Sequence, residues 1–241
     1  MAVTTAENRG TLYLFPSLLA DTAPDRVLPA YNIELISGIK HFVVEELRTA
    51  RRFLKACNRD IDIDSLSFEV LNEHTAPEEV ERMLQPALEG FDIGVVSEAG
   101  CPAVADPGAD IVAAAQSAGV RVVPLVGPSS IMLSLMASGF NGQQFTFLGY
   151  LPIDGAARAA AFRDMERDIR RHRRTQIFIE TPYRNDRLFD DICRSLPDSF
   201  RFCVAAGLTG SNESVTTRTL AQWRRNPVKF GKVPAIFLLF E

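Results

Sequence analysis

The chain has 241 residues, of which 46% are hydrophobic and 23% charged, proportions that suit an ordinary globular protein and argue against disorder. A formal net charge of -4 argues against nucleic-acid binding through bulk positive charge, while leaving room for a local basic patch. Four cysteines (57, 101, 193 and 203), none of them two residues from another, and three histidines offer no zinc or iron–sulfur spacing.

The leading segment MAVTTAENRG is polar and is followed by no long apolar run, so no signal peptide is expected. The apolar stretches are too short to cross a bilayer, and reduced thiols in the cytoplasm are the natural expectation.

In chain order, TLYLF (11–15) reads as a first strand and HFVVE (41–45) as a second, followed by a basic helix over 47–57. A third strand is expected at 67–71, then a helix at 77–88 with proline in its first turn. DIGVVS (92–97) has the pattern of a buried strand, and a helix over 107–118 stops at Gly119. A strand at 121–125 and a helix at 129–138 follow. Strand, helix, strand at this spacing predicts βαβ crossovers and a doubly wound parallel sheet in the first domain, residues 1–125.

Residues 126–241 read differently. A strand at 145–148 leads into a turn-rich connector, GYLPIDG (149–155), and a long helix over 156–172 that ends in arginines. Strands at 175–179 and 200–205 flank a helix at 185–195, SVTTRT (214–219) alternates as a half-exposed strand, and VPAIFLLF (233–240) reads as a buried strand. Several of these strands have no helix between them, so a mixed sheet is expected in this second α/β domain. Trp223 reads as the packing anchor of a short helix.

The central motif is GVVSEAGCPAVADPG (94–108), a buried strand running into a loop with glycines and prolines ahead of a helix. Ligands of open α/β sheets bind at such carboxyl ends, and Gly100 lets one approach the backbone closely. A tight strand–helix connection would need the same residues. PLVGPSS (124–130) repeats the arrangement, and capping of the next helix explains one of its two serines. Two such loops at the ends of consecutive strands are better explained by one cleft than by two unrelated turns.

GTLYL (10–14), VVSEAGCPAVADPG (95–108), RVVPLVGPSS (121–130), FLGYLP (147–152) and FIETPYR (178–184) occur in that order and closely resemble the signature series of the tetrapyrrole-methylase superfamily. The resemblance covers nearly the whole chain and is nearest to the branch that methylates the ribose 2′-hydroxyl of a cytidine in small-subunit ribosomal RNA. VEELRTARRFLK (44–55) and NEHTAPEE (72–79) are similar to that branch as well.

This resemblance implies a homodimer of two-domain α/β chains. It also implies a methyltransferase that holds S-adenosylmethionine in the cleft between its domains, largely through backbone groups. Carried over by position, the cofactor contacts are Leu19, Gly100, Cys101, Pro102, Ala105, Ser129, Ser130, Glu180, Pro234 and Ala235, and no metal is implied. Two departures stand out. The loop after the first strand, FPSLLAD (15–21), lacks the usual glycine, so a side chain at Ala20 is expected to crowd the site. Cys101 stands where threonine or aspartate is usual, and a thiol is the weaker hydrogen-bond partner.

Arg48, Arg51 and Arg52 and the run RDIRRHRR (167–174) are the two basic clusters. Both suit RNA phosphate contacts, although a solvated helix end whose cations favour the C-terminal dipole accounts for the second slightly better. His74 beside Glu73 reads as an exposed polar turn. A ribose acceptor needs a proton acceptor; Glu180 and Glu46 are the candidates, and neither can be assigned. A precorrin- or porphyrinogen-type methyltransferase and a non-catalytic cofactor- or RNA-binding relative remain as alternatives. A nicotinamide enzyme is disfavoured because no G-x-G-x-x-G follows the first strand.

Overall fold

A computed structural model describes residues 9–241, so most of the leading polar segment lies outside the described residues. Two compact units meet in sequence between Ser129 and Ser130.

In the first unit, β1 (Thr11–Phe15), β2 (His41–Val44), β3 (Ser67–Val70), β4 (Ile93–Val96) and β5 (Arg121–Pro124) form a sheet in the order β3-β2-β4-β1-β5. Every pairing in it is parallel. Side chains alternate between faces with period two. Leu12, Leu14, Ile93 and Val95 point into one apolar layer, under α3 (Pro77–Met83), α4 (Gln85–Leu88) and α5 (Gly108–Ser117). Phe15, Phe42, Val44 and Val96 point into the other, under α1 (Ala30–Ile36) and α2 (Leu47–Cys57). The expected double winding is therefore present. Gly94 makes room for a neighbour, since a Cβ there would sit 2.7 Å from the Phe42 ring.

Helix α2 shows how sequence sets orientation. Ala50, Phe53 and Leu54, at i, i+3 and i+4, are buried, whereas Arg48, Arg51 and Arg52 are exposed. The helix expected over 77–88 divides at Leu84 into α3 and α4, because Pro86 lacks the N–H that a continuous ladder needs.

In the second unit, β6 (Phe145–Tyr150), β7 (Thr175–Ile179), β8 (Arg201–Ala206), β9 (Ser214–Thr219) and β10 (Ala235–Phe240) run in the order β6-β7-β10-β8-β9. Only β6 and β7 pair in parallel, and they are the two strands joined by the long crossover helix α7 (Gly155–His172). The other pairings are antiparallel, so this sheet is mixed. Strand β6 runs through Gly149 and Tyr150, two residues of the expected connector, by means of a register irregularity after Phe147.

The remaining helices of this unit are α6 (Ser130–Ser138), α8 (Asn185–Ser195) and α9 (Leu220–Arg225). Helix α7 buries Phe162, Met165 and Ile169, and its buried Arg158 pairs with Asp191 at 3.1 Å. The core is aromatic. Phe178 and Phe202 stack on Phe237 with centroids 5.9 and 5.8 Å apart, and Trp223 meets Phe189 edge-on at 5.4 Å. Trp223, on α9, donates its indole N–H to the Phe202 carbonyl at 2.8 Å, as an anchor should.

Candidate functional site

A parallel sheet delivers all its carboxyl ends to one edge. In the first unit this gathers the loops that follow β1, β4 and β5. The Ser17 N–H donates to the Gly100 carbonyl at 2.8 Å, and the Ser97 hydroxyl donates to the same oxygen at 3.1 Å. The Cys101 thiol donates to the Pro128 carbonyl at 3.6 Å and shares a side-chain hydrogen bond with Ser129. Gly127 lies against Pro16 so closely that a Cβ there would come within 2.4 Å of the proline ring. The three loops thus form one connected layer of backbone around Gly100.

Gly100 has φ +81°, a conformation that residues with a Cβ adopt reluctantly, and a Cβ there would lie 3.2 Å from Leu19 Cδ2. Leu19, not Ala20, is therefore the side chain that crowds this point. Pro102 is buried beneath the loop, and Ala105 is exposed at φ +61°. Ala103 also has positive φ, and the Asp106 carboxylate pins the turn by accepting from the Ala103 and Gly108 N–H groups at 2.9 and 2.7 Å. Two oxygens in this layer are buried with no protein partner, Ser17 Oγ and Asp106 Oδ2. Each marks a place where a ligand's polar group would be stabilised rather than excluded.

Two carboxyls here sit above their ordinary range. Burial raises Asp106, against the opposing effect of its two N–H bonds. Burial likewise raises Glu45, at the end of β2; its bond from the Glu98 N–H, 3.0 Å, opposes this, and the charges of Asp106 and Glu98 add to the rise. Burial also raises the Cys101 thiol, so it is neutral at ordinary pH.

The second unit holds the remaining positions. Ser130 is the first residue of α6. Glu180 follows β7, and the antiparallel β7–β10 register puts it at the end of the sheet where Pro234 and Ala235 begin β10. Ala235 pairs with Ala206, and the Pro234 carbonyl accepts from the Gly207 N–H at 2.9 Å. The Glu180 side chain is only 2% exposed, and its Oε1 accepts from Arg184 Nη2 at 2.7 Å, Arg184 Nε at 2.9 Å and the Thr181 N–H at 2.7 Å. Burial alone would raise this carboxyl, but the Arg184 and Thr181 bonds outweigh it and hold it below the ordinary value. A carboxylate so stabilised is a poor proton acceptor.

Glu46 is also stabilised as a carboxylate, for a different reason. It caps α2, accepting from the Arg48 and Thr49 N–H groups at 3.0 and 2.6 Å. Its neighbour Glu45, which the sequence reading passed over, is by contrast raised. The signal was present: the apolar run of β2 ends at Val44, so Glu45 falls at the sheet's carboxyl edge.

Comparison with known proteins decides the family. No family model matches the chain. A ribosomal RNA small subunit methyltransferase I from Vibrio cholerae is 32% identical over 211 residues, 88% of this chain and 65% of that protein. The protein of the same name from Escherichia coli O157:H7 is 30% identical over 208 residues, 86% of this chain and 68% of that protein. The chain belongs to that family. It spans about two thirds of the length of these curated relatives.

Among solved structures, the methyltransferase CobJ superposes with a TM-score of 0.63 at 14% identity, over 96% of this chain and 94% of that one. A uroporphyrin-III C-methyltransferase from Thermus thermophilus, complexed with S-adenosylhomocysteine, gives 0.59 at 16% identity, over 96% and 98%. The ribosomal RNA small subunit methyltransferase I family therefore shares the tetrapyrrole-methylase fold found here.

Proposed function

We propose that this chain is an S-adenosylmethionine-dependent methyltransferase acting on the ribose 2′-hydroxyl of small-subunit ribosomal RNA. The observation that carries the reading is the loop layer around Gly100, together with membership of the family. The residues fit the cofactor. Gly100 leaves a cradle that a Cβ would fill, and Ser17 offers a hydroxyl without a protein partner. Leu19, Cys101, Pro102, Ala105 and Ser129 are the further contacts proposed in the first unit. Ser130, Glu180, Pro234 and Ala235 are further contacts proposed in the second unit. When bound, the cofactor supplies an electrophilic methyl group.

The chain's own part is to orient and to accept a proton. Glu45 is the group we assign to take the ribose hydroxyl proton, on Oε1, because Oε2 already accepts from Glu98. Its raised pKa brings it nearer the working pH than Glu46 or Glu180, both of which are lowered. The enzyme should therefore gain activity as pH rises through that raised value, and Glu45→Gln should remove the dependence along with most of the rate.

A homodimer is part of the proposal, supported by the family resemblance and by Met132 and Met136, 47% and 76% exposed on α6. So is a cytoplasmic location, which suits a ribosomal target; among the described residues no helix is long and apolar enough to cross a membrane. The test is transfer of a labelled methyl group from S-adenosylmethionine to small-subunit ribosomal RNA, with the label recovered on a ribose. Label recovered on a porphyrinogen and not on RNA would replace the reading with the tetrapyrrole alternative. Absence of any heat on titration with S-adenosylhomocysteine would remove both.

A further inference from the structure

The arginines of α7 are sorted by the helix into two sets with different surroundings. Arg170 pairs with Glu166 at 2.9 Å and lies over the Phe200 ring, 5.6 Å from its centroid. Arg173 lies over the Phe240 ring at 4.9 Å. Both are committed to their own unit. Arg167 and Arg171, one turn apart, and Arg174 beyond the helix end instead line a cavity of about 540 Å³ between α7 and the edge strand β6.

The cavity lies wholly within the second unit, so its shape depends on that unit alone. Its apolar wall is Leu148, Tyr150, Leu151 and Met165. The charged and titratable groups lining it are Arg167, Arg171, Arg174, His172, Asp164 and Asp168. Arg167 pairs with Asp164 at 2.6 Å and Arg174 with Asp168 at 3.1 Å, which leaves the Arg171 cation without an acidic partner among the described residues. The Gln176 amide nitrogen is already spent on Asp168 and the Arg174 carbonyl, at 2.6 and 3.0 Å. The cavity therefore combines one guanidinium without an acidic partner and an aromatic and aliphatic wall.

We propose that this cavity seats one unpaired nucleotide of an RNA strand, with its phosphate at Arg171 and its base against Tyr150 and Leu148. A stacking wall beside a cation suits any base, because every base has a π-face, and the Gln176 amide nitrogen that could have read a base edge is occupied. The site thus holds the strand with little regard to sequence. The inference rests on the RNA reading above and places a contact of that substrate on a surface distinct from the Gly100 layer.

The test is binding of protein-free small-subunit ribosomal RNA and of a short unstructured oligoribonucleotide, followed by fluorescence anisotropy over a salt series. Arg171→Gln is expected to lower the log–log salt slope by about 0.7, and Tyr150→Ala to weaken binding about tenfold with the slope retained. Arg170→Gln, which removes an equal charge outside the cavity, should leave the slope unchanged. Affinity for S-adenosylhomocysteine should be unchanged in all three.

Wild-type binding that Arg171→Gln leaves intact, or an equal loss in Arg170→Gln, overturns the inference while the RNA reading stands. A change in molecular mass by light scattering in Arg171→Gln, with RNA binding kept, assigns the cavity to a second copy of the chain and also overturns it. A wild-type protein that binds no RNA at all overturns both.

Discussion

In the first unit five strands run parallel, and the apolar layers are built chiefly from leucine, isoleucine and valine. In the second unit the sheet is mixed and phenylalanines stack across neighbouring strands. Parallel pairing brings every carboxyl-end loop to one edge, which is how segments as distant in sequence as Ser17, Gly100 and Pro128 come to be joined by hydrogen bonds and contact. Antiparallel pairing scatters the loops between both ends of the sheet, so the second unit builds its features on helix α7 and edge strand β6. One unit is organised to gather loops; the other is organised around a dense aromatic core.

Core deletions should give the largest separation between the units. Phe237→Ala removes a fully buried ring between two stacked neighbours and should cost about 3–5 kcal/mol. The chain has one tryptophan, Trp223, within that same core, so the denaturant midpoint read by its fluorescence should fall steeply. Leu12→Ala, also fully buried but in the first unit, should cost about 2–5 kcal/mol and register in far-ultraviolet circular dichroism. If Leu12→Ala moves the tryptophan transition as much as Phe237→Ala does, the units unfold together and the contrast between their cores has no thermodynamic counterpart.

Gly100→Leu comes next. Its backbone at φ +81° and the Leu19 methyl group 3.2 Å from its Cβ position both oppose a side chain. Calorimetry should show loss of S-adenosylhomocysteine binding, with a stability loss of about 1–2 kcal/mol from the conformational term. The same substitution at Gly142, which has open space around it and no positive φ, should leave ligand binding intact.

Acid should act mainly on the second unit's site. The Glu180 carboxyl is held below the ordinary value of 4.5, so its stabilisation is present above about 4.5 and is lost as pH falls through the lower folded value. Glu45 and Asp106 are raised, so their ionisation costs folding stability as pH climbs through their folded values. A pH series of melting temperatures should show Glu180→Gln converging on the wild type at the acid end, whereas Glu45→Gln should lie above it near neutrality. Parallel curves for Glu180→Gln and wild type would mean the Arg184 bonds contribute nothing.

The smallest effect concerns thiols. Burial pushes Cys57 up to about 12 and Cys193 to about 11, and raises Cys101 and Cys203. None should react with an alkylating reagent at pH 8 at the rate of a free thiol. Rapid labelling of Cys101 alone would show that its loop opens.

The period of the apolar residues made much of this architecture legible. Strands at 11–15, 175–179 and 214–219 and helices at 47–57 and 185–195 have the bounds the pattern predicts. Helix α1 escaped because it is short, follows Pro29 without a side-chain cap and exposes Tyr31, so neither its start nor its apolar face is marked. The insertion of β10, the last strand, between β7 and β8 was illegible for another reason: alternation tells which face a side chain takes, not which strand lies beside it. At the candidate site, Gly100 and the serine pair were visible as loop residues. The roles of Leu19, Glu45 and the two sets of α7 arginines depend on distances that no spacing encodes.

Strand β1 pairs with β4 and β5, whereas β2 and β3 pair with each other. A ribosome makes the chain from its N-terminal end, so β1 must wait for residues 93–96 and 121–124 before it gains either neighbour. At about 10 residues per second, that delay is on the order of ten seconds. Throughout it, the apolar TLYLF segment has no sheet to join, and Ser17 has no Gly100 carbonyl to bond. Competence to hold a ligand at the Gly100 loop therefore waits for β4 and then β5, and a nascent chain halted before β4 would present TLYLF to chaperones instead.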